Sequence, residues 1–158
     1  MKKMKGKAEV DRRTTKLTYQ FKLIQGQNLN AELLSHYSRY LCVQVAGFAE
    51  QSVKTLVVEH ARQCSAPRIH RYVDLQIGSV HGMSPSKFQE IVEGLEPALW
   101  DSLKTNCDRE LDSLGSVVST RNQLAHGVDT GITFAVIDQY FQDVTKLINN
   151  FSSLLGDP

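Results

Sequence analysis

The sequence predicts an all-α, up-and-down bundle of four to five helices, preceded by a short irregular or extended N-terminal arm. Three observations predict it. Apolar residues recur at three- and four-residue spacing through most of the chain after residue 28. Prolines and capping residues fall between those runs rather than inside them. Alternating, strand-like patterning is scarce beyond residue 28. A chain of 158 residues has the length of one domain and can bury a core without staples. The division expected is a basic arm over 1–28 and a helical domain over 29–158.

In the arm, Leu17, Tyr19, Phe21 and Leu23 alternate with polar neighbours, which suits a short strand or an extended segment packed on the body. Asn28 or Asn30 then caps a helix. Leu33, Leu34, Tyr37, Leu41, Val45, Phe48, Ser52 and Leu56 form its apolar face, and no proline interrupts before Pro67. A helix that long wants another beside it. A short helix is expected over Ile69–Ile77. Ser84-Pro85 reads as an N-cap followed by proline at the first helical position, opening a helix to about Leu95. Pro97 opens the next, expected to run through Leu99, Leu103, Cys107, Leu111, Leu114 and Val118 to Leu124, with Gly127 as its C-terminal cap. Thr130 or Thr133 caps the last helix. Its face is Val136, Ile137, Tyr140, Phe141, Val144, Leu147, Ile148 and Phe151, and Gly156 and Pro158 follow at the end of the chain.

Composition excludes several classes. No apolar run approaches the ~20 residues of a membrane span. No apolar segment follows the basic start, so no signal peptide is expected. The three cysteines, Cys42, Cys64 and Cys107, are widely spaced without a CxxC pair, which argues against zinc and for reduced thiols in a cytoplasm. His36, His60, His70 and His81 are scattered with no metal spacing, and there is no glycine-rich phosphate loop and no GxSxG. Glu90, Glu93 and Glu96 read as a solvated face, and Trp100 as core. No metal or cofactor is expected. The net charge of +1 hides an asymmetry: residues 1–22 hold eight Lys/Arg against two acids, and the remainder ten against fifteen. Such a tail either attracts nucleic acid or merely solubilises.

The stretch RNQLAHG, Arg121 to Gly127, concentrates the chemistry. Arginine holds a phosphate through two hydrogen bonds and stabilises charge growing on it. Histidine moves a proton near neutrality. RNA brings its own nucleophile, the 2′-hydroxyl, so a proton-transfer group and a phosphate clamp suffice without a metal. The plainer alternative is a helix that ends with cations against its dipole. Arg121 and His126 stand five positions apart, a net rotation of ~140°, so they share a face only if the last turn loosens.

Arg121-Asn122-x-x-x-His126, ending a late helix in a small all-α chain, resembles the HEPN superfamily. Its motif is an arginine, four to six residues and a histidine, commonly with a polar residue after the arginine. Gly47 and Glu50, within VAGFAEQSVKTLVVEHA, match a small residue and a glutamate on an early helix of the RiboL-PSP-type branch. APRIHRYV and LDSLGSVVSTRNQLAHG are similar to that branch too. The resemblance spans about Leu33 to Leu155.

The resemblance implies a homodimer in which two motifs face one shared cleft, and a metal-independent RNase that leaves a 2′,3′-cyclic phosphate and serves as a toxin or anti-phage effector. It implies that Arg121 holds the scissile phosphate, His126 transfers protons, Asn122 supports the phosphate, and Glu50 orients Arg121 or His126. RNA is the implied partner, with an antitoxin or regulatory protein as a further one. Arg68 and Arg71, in the other basic cluster, are the candidate RNA contacts, although a solvated interhelical loop explains them equally. One toxin branch has a tyrosine two positions after the histidine; Val128 stands there, which puts control by modification of that tyrosine in doubt. The other reading of the resemblance is a non-catalytic dimeric module that binds RNA, a nucleotide or a protein.

Overall fold

The computed structural model describes residues 5–156. Met1 to Met4 of the basic segment, and Asp157 and Pro158, lie outside the described residues. Seven helices make up the described chain: α1 Lys5–Gln25, α2 Ala31–Cys64, α3 Pro67–Gly78, α4 Pro85–Leu95, α5 Pro97–Asn106, α6 Asp108–Ala125 and α7 Phe134–Gly156. The all-α class holds, with more helices than the four to five expected. None is long and apolar enough to cross a membrane.

The first extra helix replaces the irregular or extended arm. Val10, Leu17, Phe21 and Ile24 are buried, while Tyr19 and Leu23 face solvent. The apolar spacing that decides the structure is therefore helical, and the alternation of Leu17, Tyr19, Phe21 and Leu23 is incidental. Pairs at helical spacing support α1 from outside: Lys7 with Asp11, and Glu9 with Arg12 and Arg13. Phe21 stacks on Phe141 of α7, with centroids 4.8 Å apart. Gly6 allows α1 to approach α2: a Cβ there would lie 2.8 Å from the Cβ of Glu59. From Lys5 to Gln25 the basic N-terminal segment is thus part of the packed body.

The second extra helix arises because the run expected from Pro97 to Leu124 breaks at Cys107. That residue leaves helical geometry at φ −132°, ψ 32°. Asn106 turns its amide back to the carbonyl of Ser102, a local bond that competes with helix continuation. Asp108 and Glu110 then start α6 with acids in its first turn, where the dipole favours them. Cys107 is fully buried and meets the side-chain amide of Asn150.

The remaining boundaries follow their expected chemistry. Asn30 caps α2, accepting from the Leu33 N–H. Ser84 caps α4, accepting from the Lys87 N–H, with Pro85 next to it. Thr133 accepts from the Val136 N–H at the start of α7. α2 is the central helix, packed on α1, α3, α6 and α7. α6 and α7 lie against each other, and α4 pairs with α5 on their flank. Phe88 meets both Trp100 and Phe151 edge-on there, so Trp100 is core as expected. Glu90, Glu93 and Glu96 are exposed.

Candidate functional site

The end of α6 carries the RNQLAHG stretch. Gly127 takes φ +74°, a left-handed conformation that side chains rarely adopt. The Val128 N–H bonds to the Gln123 carbonyl and the Gly127 N–H to the Leu124 carbonyl. This is a Schellman-type ending, and it fixes His126 as the C-cap residue. The His126 N–H is shared among the carbonyls of Asn122, Gln123 and Leu124. Its ring is exposed and has no hydrogen-bond partner among the described residues.

Arg121 and Asn122 are also exposed, and an Arg121 Nη1 donates to Asn122 Oδ1 at 3.2 Å. Both line a cleft of about 530 Å³ between α1, α2 and α6. Glu50 and Gly47 contribute to it from α2, and Gly82 and Met83 from the loop before α4. Glu9, Arg12, Arg13, Lys16 and Gln20 line it from α1. His126 opens instead onto a neighbouring groove with Ser84, Gly115, Ser119 and Val128. Val118 and Asn122 border both depressions. The structure therefore brings Arg121, Asn122 and Glu50 into one cleft and leaves His126 across the ridge at Asn122. That is the offset expected from five helical positions.

Glu50 is held firmly. Its carboxylate accepts the Gly82 N–H at 2.7 Å and pairs with Lys54 at 2.9 Å. Burial pushes its pKa up, but the Lys54 bond, the Gly82 N–H and the charges of Lys54 and His81 outweigh it and hold it below the usual carboxylate value. Arg121 and His126 are not among its hydrogen-bond or ion-pair partners. Gly82, at φ +77°, lets the loop present its N–H to α2. A Cβ on Gly47 would meet no atom within 4 Å. This glycine costs α2 about 1 kcal/mol relative to alanine without serving a close helix contact, and it leaves the cleft floor bare.

Arg68 and Arg71 are exposed on α3 and do not line the cleft. The cations that do line it from α1 were not singled out by sequence reasoning. Their signal was the recurrence of Arg12, Lys16 and Gln20 every four residues, legible only once the segment is a helix. Among the described residues, no cluster of three or more His, Cys, Asp or Glu could hold a metal ion.

The family model described as RiboL-PSP-HEPN matches residues 8–157. No curated protein and no solved structure matches the chain.

Proposed function

The chain belongs to the RiboL-PSP-HEPN family, and from that premise we propose that it is a metal-independent endoribonuclease that cuts single-stranded RNA. The observation that carries this reading is Arg121, exposed and without a carboxylate partner among the described residues, at the mouth of a cation-lined cleft and five residues before an exposed His126. Arg121 clamps the scissile phosphate and stabilises the charge that grows on it. Asn122, on the ridge between cleft and groove, supports the same phosphate. The 2′-oxygen attacks phosphorus as its proton leaves, and the bond to the 5′-oxygen breaks as that oxygen is protonated. The products are a 2′,3′-cyclic phosphate and a 5′-hydroxyl.

His126 serves as one of the two proton-transfer groups. The same histidine of a second copy serves as the other, which makes the working unit a homodimer with the site at its interface. Glu50 acts on Arg121 through the shape of the cleft it anchors. Arg68 and Arg71 contact RNA that extends beyond it. In a cytoplasm such an enzyme acts as a toxin or anti-phage effector, restrained by an antitoxin or regulatory protein.

The position of His126 on a different depression from Arg121 favours a second reading, a non-catalytic dimeric module that binds RNA, a nucleotide or a protein. One experiment separates the two. Single-stranded RNA is incubated with the wild type, Arg121→Ala and His126→Ala in EDTA, and the product ends are mapped. Cyclic-phosphate ends from the wild type alone establish the nuclease. Cleavage that needs a metal, or cleavage of DNA, which lacks the 2′-hydroxyl, removes this mechanism. No cleavage by any of the three supports the binding module.

A further inference from the structure

The positive charge of the cleft comes mainly from α1. Arg12, Arg13 and Lys16 line it there, against Arg121 alone on α6. The two lining carboxylates do not neutralise this set. Glu9 is shared by Arg12 and Arg13, and Glu50 is already paired with Lys54. Lys16 and Arg121 have no carboxylate partner among the described residues. The Arg12–Glu9 pair is solvent-exposed, with the Arg12 side chain 77% accessible, so its guanidinium is easily recruited by another anion.

Residues 12, 16 and 20 lie on one face of α1 and span ~12 Å along its axis, a wall rather than a point. At its far end, Gln20 Oε1 is buried with no hydrogen-bond partner. It is an acceptor left open for a donor. Opposite this wall the floor at Gly47 carries no side chain.

We propose that α1 supplies a second phosphate-binding subsite for an RNA strand, centred on Lys16 with Arg12 beside it, next to the phosphate held by Arg121. Gln20 accepts a hydrogen bond from a sugar hydroxyl or base amino group of the same strand once its side chain turns the buried, unpartnered oxygen into the cleft. The proposal takes its ligand class from the nuclease reading, but it concerns binding and stands or falls by a separate measurement. The helix that tethers the basic segment to the core also aims part of its charge into the cleft.

The test uses a short 2′-O-methyl RNA, which the proposed chemistry cannot cut, with binding read by fluorescence anisotropy over a range of salt. Lys16 is exposed, so Lys16→Glu should fold as the wild type does, which a melting curve checks. It should weaken binding about tenfold and lower the slope of log affinity against log salt by about 1. Lys104→Glu makes the same charge change on α5, which does not line the cleft, and should bind nearly as the wild type. Gly47→Leu adds bulk where no packing partner exists and should also weaken binding.

Equal losses in Lys16→Glu and Lys104→Glu would reduce the effect to bulk charge and overturn the subsite. So would wild-type affinity in Lys16→Glu, or competition by a mononucleotide as strong as by the oligonucleotide. Lys16-dependent binding by a wild type that does not cut ordinary RNA would keep the subsite and remove the catalytic reading. A wild type that binds no RNA would remove both.

Discussion

Glu50 and Arg121 line the same cleft from neighbouring helices, yet the molecule treats them differently. Glu50 is half-buried, paired with Lys54 and tied to the backbone of Gly82. Arg121 is exposed, and among the described residues its one side-chain hydrogen bond goes to the adjacent Asn122. His126 has no partner for its ring among the described residues. One side of the cleft is finished by the fold, and the other presents donors that the single chain does not satisfy. Unsatisfied exposed donors cost little, because water serves them. They become useful when a phosphate or a second copy replaces that water. Under the proposed function, the contrast assigns stability to the Glu50 side and chemistry to the end of α6.

The sharpest way to break that assignment is to remove each side in turn. Arg121→Ala and His126→Ala should each lower RNA cleavage by about 10²–10⁴-fold, the range for loss of a proton-transfer or charge-stabilising group. Their melting temperatures should stay near the wild type, since surface substitutions away from special features lie within about 0.5 kcal/mol. A large stability loss in either variant would show that the end of α6 is as built-in as the other side. Glu50→Ala should do the reverse and destabilise by about 1–3 kcal/mol, because it removes a charged acceptor from the Gly82 N–H and leaves a partly buried Lys54 unpaired. A thermal melt reads this directly. No stability loss would mean that the Glu50 junction is ornamental to the fold.

Acidity sharpens the same contrast. The folded Glu50 carboxylate is held below its ordinary pKa, so its contribution is complete above the unfolded carboxylate range and is lost as pH falls through the lower, folded value. Glu110, bonded to Lys146, and Glu59, bonded to Arg62 and Gln63, are lowered as well and act with the same sign. The gap in melting temperature between the wild type and Glu50→Gln should therefore be full at neutral pH and close on acidification below the carboxylate range. A gap that widens in acid would reverse the sign assigned to Glu50.

What the sequence disclosed about these two regions differs in kind. The end of α6 was legible because its signals are local: arginine, histidine and a terminating glycine lie within seven residues. The caps at Asn30, Ser84 and Thr133 were legible for the same reason. The break at Cys107 was obscured because apolar spacing continues across it, and only the Asn106 back-bond and the acids of the next turn mark the restart. α1 was obscured because Leu17, Tyr19, Phe21 and Leu23 alternate by chance, and because Thr14 and Thr15 weaken its helical character. The Glu9–Arg13 and Lys7–Asp11 spacings were the better guide. The cation wall could not be read before α1 was a helix, since which face of it meets α2 is decided by tertiary packing. Glu50 was visible as a residue, but its grip on Gly82, across 32 positions, was not.

The smallest effect is also the most discriminating, and it uses two of the three left-handed glycines among the described residues. Gly127, at φ +74°, closes the turn that sets His126, and Gly82, at φ +77°, carries the N–H that Glu50 accepts. Alanine at either position meets nearly the same backbone penalty, and a Cβ at either meets no atom within 4 Å, so strain is the main cost. Each substitution should destabilise by about 1 kcal/mol. Their catalytic consequences should diverge. Relaxing the Gly127 turn releases the Schellman bonds and moves His126 relative to Arg121, and small misplacements of a reacting group are costly to rate. Relaxing the Gly82 loop shifts a residue whose partner on α2 stays anchored through Lys54. Gly127→Ala should therefore lose much more cleavage than Gly82→Ala at matched stability, read as single-turnover rates beside thermal melts. Equal losses of rate would mean that the two sides of the cleft move as one body and that the division of labour between them is not real. A larger loss in Gly82→Ala would place the rate-determining geometry on the Glu50 side, and Glu50 itself would then have to act closer to the chemistry than its present partners imply.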